Sequence, residues 1–210
     1  MLAIVILIYL ILLSTTVYRI TQSPYVNPAP NQKQLSNYVD NSIYAIHDLT
    51  EAALSQYSQG VARVDIVSLM QDGLIEIENY LDNHNLPANL SLDAGGLSVY
   101  NSSTSVNPVF IHIECNVSIH IDSPDFHYDA TFLIKTTYYL EISEITGTEN
   151  HIYLFKDKNG IISIINDAGI TITPFTPVSN LGDGRYSADL QLGQEIEAIL
   201  PHNIYLWLEV

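Results

Sequence analysis

The N-terminal stretch, residues 1–22, is the most apolar part of the chain. Residues 2–13 are apolar without a break, and the apolar character continues more weakly to Tyr18. A helix over residues 2–18 would be roughly 25 Å long, slightly short of the hydrocarbon core of a bilayer. Because it would be hydrophobic on every side, it should lie in lipid or among other helices. We therefore predict a transmembrane or filament-core helix over residues 1–22.

A cleaved signal peptide explains this stretch poorly. Such peptides begin with basic residues and end at a small-residue cleavage site. Here no Lys or Arg precedes Arg19, and residues 14–16 only weakly resemble a cleavage site. The missing basic region suggests instead a chain whose leader has already been removed.

The next segment, residues 23–30, has the sequence SPYVNPAP and contains three prolines. Proline lacks an amide donor and disfavours a helical conformation at the residue before it. We predict an extended linker here, with the helix axis breaking between Ile20 and Pro24. The linker would separate the apolar helix from a domain over residues 31–210.

Two amphipathic helices are predicted at the start of that domain. Asn31 followed by Gln34 is typical of a helix start, and Gly60 is typical of a helix end. Apolar residues recur between them at three- and four-residue spacing: Leu35, Val39, Ile43, Ile46, Leu49, Ala53 and Tyr57. A second stripe of similar spacing contains Ile66, Met70, Leu74, Ile77 and Leu81. The two helices should form a hairpin whose apolar faces pack on each other and on a sheet.

From residue 90 onwards the apolar period changes to two, which is typical of strands. The clearest alternation covers residues 109–122, and a second long strand is predicted over residues 128–142. Shorter strands are predicted over residues 152–155, 161–165, 170–173, 185–192 and 204–210. Helices followed by strands predict an α+β fold. It would comprise the N-terminal apolar helix, an amphipathic helical hairpin and a mainly antiparallel β-sheet or sandwich of about seven strands.

Charge and cysteine content narrow the functional classes. Seven Lys and Arg residues against 23 Asp and Glu give a formal net charge of −16. A chain of this charge repels phosphate backbones and anionic lipid heads, so we predict no nucleic-acid partner. The single cysteine, Cys115, excludes an intrachain disulfide, and its place in the apolar register predicts a buried, unreactive thiol. Candidate N-glycosylation sites at Asn89, Asn101 and Asn116 fit an exported surface protein.

The most suggestive chemical grouping is His112, Glu114, His120 and Asp122, which share one face of the predicted strand over residues 109–122. Imidazole and carboxylate groups are suitable ligands for zinc or iron. Residues eight apart on a strand lie roughly 26 Å apart, so the two ends cannot share an ion. Only His112 with Glu114, or His120 with Asp122, could cooperate, each with help from another strand. A solvated sheet face explains these residues equally well.

Other chemistry finds little support in the sequence. Asp122, Asp125 and Asp129 are weak calcium candidates near the predicted turn between the two long strands, although their spacing matches no defined calcium loop. The chain contains no nucleophile elbow, zinc-protease helix, phosphate-binding loop or dinucleotide fingerprint. We therefore predict a non-enzymatic protein without catalytic residues, metal or cofactor.

An apolar N-terminal helix followed by a polar, Tyr- and Asn-rich β domain resembles the archaeal type IV pilins and their relatives. Val5 stands where bacterial members usually carry Glu, and the prolines from Pro24 onwards follow the helix sooner than in most pilins. The resemblance implies an extracellular filament whose subunits pack through N-terminal helices. Packing would then involve Leu2, Ile4, Val5, Leu7, Ile8, Ile11 and Leu12.

Two functional hypotheses follow from this resemblance and its departures. The first is a structural filament subunit that contacts copies of itself through residues 1–20. These residues would lie in the membrane before assembly, or instead of it. The second is a single-pass, membrane-anchored ectodomain that binds a ligand or a partner protein. Both predict a domain outside the cell, at its surface, that could carry N-linked glycans.

Overall fold

The computed structural model describes residues 28–84, 86–123, 126–145 and 149–210. The predicted apolar helix and its packing residues, from Leu2 to Leu12, lie outside these ranges. Among the helices of the described residues, none combines the length and apolarity needed to cross a bilayer.

The first described helix, α1, spans Pro28–Ser58 and would be roughly 46 Å long at the usual rise per residue. The extended conformation predicted for residues 28–30 is therefore wrong, because these residues open the helix. Pro28 and Pro30 both fall in its first turn, where amide groups have no intrahelical acceptor and the missing proline donor costs nothing.

Helix α1 is followed by a tight connection to the second helix, α2, which spans Arg63–Asp82. Gly60 has φ = +91°, and its amide donates to the carbonyl of Tyr57. A positive φ at this position is easily adopted only by glycine, so the predicted helix end at Gly60 is confirmed. The residues of the two stripes that are buried are Val39, Ile46, Ala53, Ile66, Met70, Leu74 and Leu81.

Strands of the described residues form two antiparallel sheets. The strands of the larger sheet are β1 Ala88–Leu92, β2 Ser98–Asn101, β3 Val109–Ser123, β4 Phe126–Ile145, β5 Glu149–Lys158, β6 Ile161–Ile164, β8 Ser179–Gly182 and β9 Arg185–Ala188. Their order is β1-β3-β4-β5-β9-β8, with β2 added on β3 and β6 added on β5. The smaller sheet has the order β11-β10-β7, with β7 Gly169–Thr173, β10 Glu195–Leu200 and β11 Ile204–Glu209. A short 3₁₀ turn, Pro201–Asn203, joins β10 to β11.

The long hairpin of β3 and β4 organises the larger sheet, since every residue of β3 has a partner on β4. Odd-numbered residues of β3 from Val109 to Ile121 are buried on its inner face. Helix α1 packs against β3 and also against β11 of the smaller sheet, while α2 packs on β1. One hydrophobic core therefore joins both helices and both sheets.

The predicted fold class is wrong. The described residues contain eleven strands in two sheets rather than one sheet or sandwich of about seven, and neither of their helices is an apolar span. The additional strands are β1, β2, β8 and β10, each four to six residues long. They escape a periodicity search because so few residues give little alternation, and because tertiary pairing outweighs local preference in short strands.

Candidate functional site

The outer face of the larger sheet, opposite the helices, carries most of the residues that the sequence singles out. Even-numbered residues of β3 lie on this face because their odd-numbered neighbours are buried. His112, Glu114, His120 and Asp122 therefore share a face, but they belong to two separate environments. The pairing of β3 with β4 determines what each of them contacts.

His112 lies in the middle of the sheet and is buried, with 5% of its surface exposed. Its Nδ1 is 2.8 Å from Oγ1 of Thr137 on β4, and its Nε2 is 3.7 Å from a carboxylate oxygen of Glu114. Burial lowers the pKa of His112, and the Glu114 charge opposes this shift only in part. The hydrogen bond to Thr137 and the lowered pKa indicate a neutral histidine with a structural role.

Beside His112 the outer face presents a row of aromatic rings, which we call the aromatic row: Tyr100, Phe110, Tyr139 and Phe155. Tyr100 contacts Phe110 edge-on at 5.8 Å between ring centroids, and Tyr139 stacks on Phe155 at 4.7 Å. Phe110 and Tyr139 are 5.9 Å apart. The row crosses four strands, so it becomes visible only once β2 and the register of β3, β4 and β5 are known.

At the far end of β3 and β4 lies a second group, which we call the hairpin cluster: His120, Asp122, His127 and Asp129. His120 is directly opposite Asp129, and Asp122 is directly opposite His127. The corresponding separations are 4.0 Å from His120 Nδ1 to Asp129 Oδ2 and 3.5 Å from His127 Nδ1 to Asp122 Oδ1. The two imidazoles meet edge to face, 5.1 Å apart. Asp125, the third calcium candidate, lies outside the described residues.

A further polar group, the α1 clamp, lies beneath the sheet on its inner side and consists of Glu51, Lys156 and His202. The Glu51 carboxylate, with 5% of its side chain exposed, pairs with the ammonium group of Lys156 on β5. Its other oxygen lies 2.8 Å from Nε2 of His202 in the 3₁₀ turn. The three residues are far apart in the sequence. The sequence gives one indication of this pairing, which is that Glu51 is an acidic residue close to the apolar stripe of α1.

Two more polar contacts join the last turns of α1 to the 3₁₀ turn and to β11 of the smaller sheet. The Ser55 hydroxyl donates to the carbonyl of Asn203 at 3.2 Å, and the amide of Tyr205 donates to the Ser58 hydroxyl at 3.1 Å. Together with the α1 clamp, these contacts fix one side of α1 to both sheets.

His47 is the other polar residue of note on α1, and it is buried with 8% of its surface exposed. Its Nδ1 has no hydrogen-bond partner among the described residues. Burial and the nearby Lys158 charge lower the pKa of His47 to about 4, against the raising effect of Glu51. The imidazole is therefore neutral in the folded protein near neutral pH.

The remaining candidates from the sequence are the cysteine and the three sequon asparagines. Cys115 is buried, so the prediction of a buried thiol is confirmed, and burial raises the pKa of the thiol to about 11. The sequon residues Asn89, Asn101 and Asn116 are all exposed, on β1, β2 and β3. Exposure makes them accessible to a glycosyltransferase, and their modification stays a prediction.

Comparison with known proteins adds no relative to this picture. No protein-family model, curated protein or solved structure matches the chain.

Proposed function

We propose that the protein is a structural subunit of an extracellular filament, in which residues 2–18 pack against the same residues of neighbouring copies. The resemblance to archaeal type IV pilins motivates this proposal, and the protein would have no enzymatic activity. The structural observation that carries it is the attachment of α1 to both sheets.

Helix α1 begins at Pro28, only a few residues after the apolar stretch ends at Ile20. Its later turns are held by the α1 clamp and by the hydrogen bonds of Ser55 to the 3₁₀ turn and of Ser58 to β11. A force applied at the start of α1 would thus pass to β5 and β11 together. A filament subunit needs this property, because its outer domain must follow its core helix.

Packing of the apolar stretch would supply the cohesion between subunits. Each Leu or Ile removed from water contributes on the order of 1.5–3 kcal/mol. Six such residues, Leu2, Ile4, Leu7, Ile8, Ile11 and Leu12, together with Val5, could contribute to contacts between neighbouring helices. The net charge of −16 opposes close approach of the outer domains, so cohesion would have to come from the apolar core.

Electron microscopy tests the proposal directly. The full chain, expressed in its source organism and isolated without detergent, should form filaments with a dense helical core. Replacing Ile8→Asp places an unpaired charge in that core and should abolish the filaments. The matched variant Ile8→Leu keeps the position apolar and should retain them.

Absence of filaments without detergent, with dispersed particles obtained only when detergent covers the N-terminal segment, would overturn the filament proposal and favour the membrane-anchored ectodomain. Filaments that persist in the Ile8→Asp variant would show instead that assembly depends on other surfaces. In that case the assignment of residues 2–18 to the filament core would be wrong.

A further inference from the structure

We propose that the hairpin cluster binds a divalent transition-metal ion through His120, His127 and Asp129. This site lies wholly on the outer face of the larger sheet. The proposal therefore does not depend on how residues 1–20 pack.

The sheet holds the three side chains close together. His120 and Asp129 face each other on β3 and β4, and His127 lies two residues before Asp129 on the same face. One potential ligand atom from each residue can be chosen such that all three lie within 4.8 Å of one another. Continuous pairing of the two strands fixes the backbone beneath them.

Small side-chain rotations would complete the site. Around a tetrahedral zinc ion with bonds of about 2.0–2.1 Å, neighbouring ligand atoms lie roughly 3.3 Å apart. The side chains of His120, His127 and Asp129 are 45%, 41% and 67% exposed, so they have room to turn toward a common centre. Three protein ligands would leave a fourth position open for water or for a group from another molecule.

The ligand types select the class of metal. Imidazole nitrogen suits zinc, copper, nickel and iron, whereas calcium takes six to eight oxygen atoms. The register sets a histidine, not a second carboxylate, opposite each aspartate of the cluster. A transition metal therefore fits these residues better than the calcium suggested by the acidic spacing of the sequence.

Asp122 acts as a positioning residue in this proposal. Its carboxylate lies 3.5 Å from Nδ1 of His127, where it can accept that N–H and leave Nε2 free for the metal. Uncharged side chains occupy neighbouring positions on the described strands: Asn89 faces His120 from β1, and Ser118 and Thr131 form a 2.8 Å hydrogen bond on the neighbouring pair. The two aspartates supply the negative charge that a divalent cation needs.

Equilibrium dialysis of the full chain in detergent, without a histidine tag and after treatment with a chelator, tests the site. At pH 8 and micromolar free zinc we expect one Zn²⁺ per chain, retained in the presence of millimolar calcium. The double variant His120→Gln/His127→Gln should lose this ion, and so should Asp129→Asn. The matched control His84→Gln/His151→Gln removes two histidines from outside the hairpin cluster and should bind zinc like the unaltered chain.

Cobalt absorption reports on the ligand set and on Asp122. Cobalt bound to the unaltered chain should give the visible spectrum of a four-coordinate site. Asp122→Asn should keep this spectrum but weaken binding roughly 10- to 100-fold, as expected for loss of a group that orients a ligand. An unchanged affinity in this variant would remove Asp122 from the proposal.

Failure to retain zinc at micromolar concentration would overturn the site, as would equal binding by the His120→Gln/His127→Gln variant and the control. Displacement of zinc by calcium would overturn the choice of metal. Circular dichroism of each variant without metal would check that the fold is intact, which we expect because all the altered side chains in the cluster are substantially exposed.

Discussion

Whether a buried polar residue stabilises the folded protein depends on the groups that surround it, not on its residue type alone. His112 and His47 are both buried, but only His112 has a hydrogen-bond partner for its Nδ1, the hydroxyl of Thr137. For His47, burial is the largest influence on its pKa; the charges of Lys158 and Lys156 also lower the pKa, and those of Glu51 and Asp48 raise it. Charging His47 would therefore cost the folded protein more than it costs the unfolded chain.

His47 should make the protein less stable as the pH falls from about 6.5 to about 4. The pKa of His47 is lowered from 6.5 to about 4 by folding, so in this window the unfolded chain binds a proton that the folded protein does not. Its contribution to stability is complete above pH 6.5 and lost at pH 4. The loss should be on the order of 1–3 kcal/mol.

Denaturant unfolding of the full chain and of His47→Leu, repeated across this pH range, measures the effect. The variant lacks the titrating imidazole, so its free energy of unfolding should fall less steeply than that of the unaltered chain. Carboxylates titrate in both proteins and cancel in the comparison. Parallel pH profiles for the two proteins would mean that His47 is charged, or accessible to solvent, in the folded state.

For single residues, a sequence pattern can predict which side chains are buried, but not which residues face each other across strands. The alternation along residues 109–122 predicts that Ile111, Ile113 and Cys115 point inward, and all three are fully buried. The pattern cannot give the partner of His120, because the register depends on where the chain reverses between β3 and β4. Sequence reasoning therefore groups His120 with Asp122 along one strand, whereas the structure sets His120 opposite Asp129.

At the scale of elements, the α1 clamp joins helix α1 to β5 and to the 3₁₀ turn through a buried carboxylate. Glu51 is almost wholly buried and contacts both Lys156 and His202, while the Lys156 ammonium lies 5.1 Å from the ring centroid of Tyr138. Burial, together with the Glu51 charge and hydrogen bond, raises the pKa of Tyr138, so its hydroxyl stays protonated. Removing one partner of such a group leaves a buried charge without compensation.

We expect Glu51→Gln to lower the free energy of unfolding by about 3–5 kcal/mol, because the Lys156 ammonium loses its counter-charge. Lys156→Met should have a similar effect. The double variant Glu51→Gln/Lys156→Met should lose clearly less than the sum, with a coupling energy of roughly 1–3 kcal/mol. Denaturant titration followed by the fluorescence of Trp207, the single tryptophan, measures all three.

His202→Asn serves as the control for this cycle. The His202 side chain is 52% exposed, so its ion pair with Glu51 should contribute at most about 1 kcal/mol. Asn also tolerates the positive φ of +63° found at this residue. Additive effects of Glu51→Gln and Lys156→Met would show that the two residues act independently and that the pair is not the fixing contact of α1.

Elements differ in how far the sequence predicts them. The two amphipathic stripes and the alternation over residues 109–122 each extend over many residues, so their signal is strong. Strands β1, β2, β8 and β10 are set by their pairing with neighbouring strands, which no local pattern records. The start of α1 is missed for another reason: proline opposes a helix interior but is accepted in the first turn.

At the scale of the whole molecule, the excess of acidic residues should oppose folding through self-repulsion. The 23 Asp and Glu residues outnumber Lys and Arg by more than three to one. One consequence is a pair of like charges in direct opposition: Glu195 on β10 faces Glu209 on β11, and both are exposed. Like charges directly across an antiparallel pair destabilise a sheet.

Removing this opposed pair should therefore stabilise the protein, and salt should erase the gain. Glu195→Gln/Glu209→Gln should raise the free energy of unfolding by roughly 0.2–1 kcal/mol at low ionic strength. For a chain of this size that corresponds to a rise in Tm of up to about 2–4 °C.

Salt tests whether this gain comes from charge. Between about 20 mM and about 300 mM NaCl the Debye length shrinks to below 10 Å, so exposed charges interact much less. The Tm of the unaltered chain should then rise more than that of the variant, and the two should converge. Differential scanning calorimetry of both proteins in the same detergent measures the convergence. A Tm difference that persists at high salt would mean that the glutamates destabilise the sheet through packing or strand propensity rather than through charge.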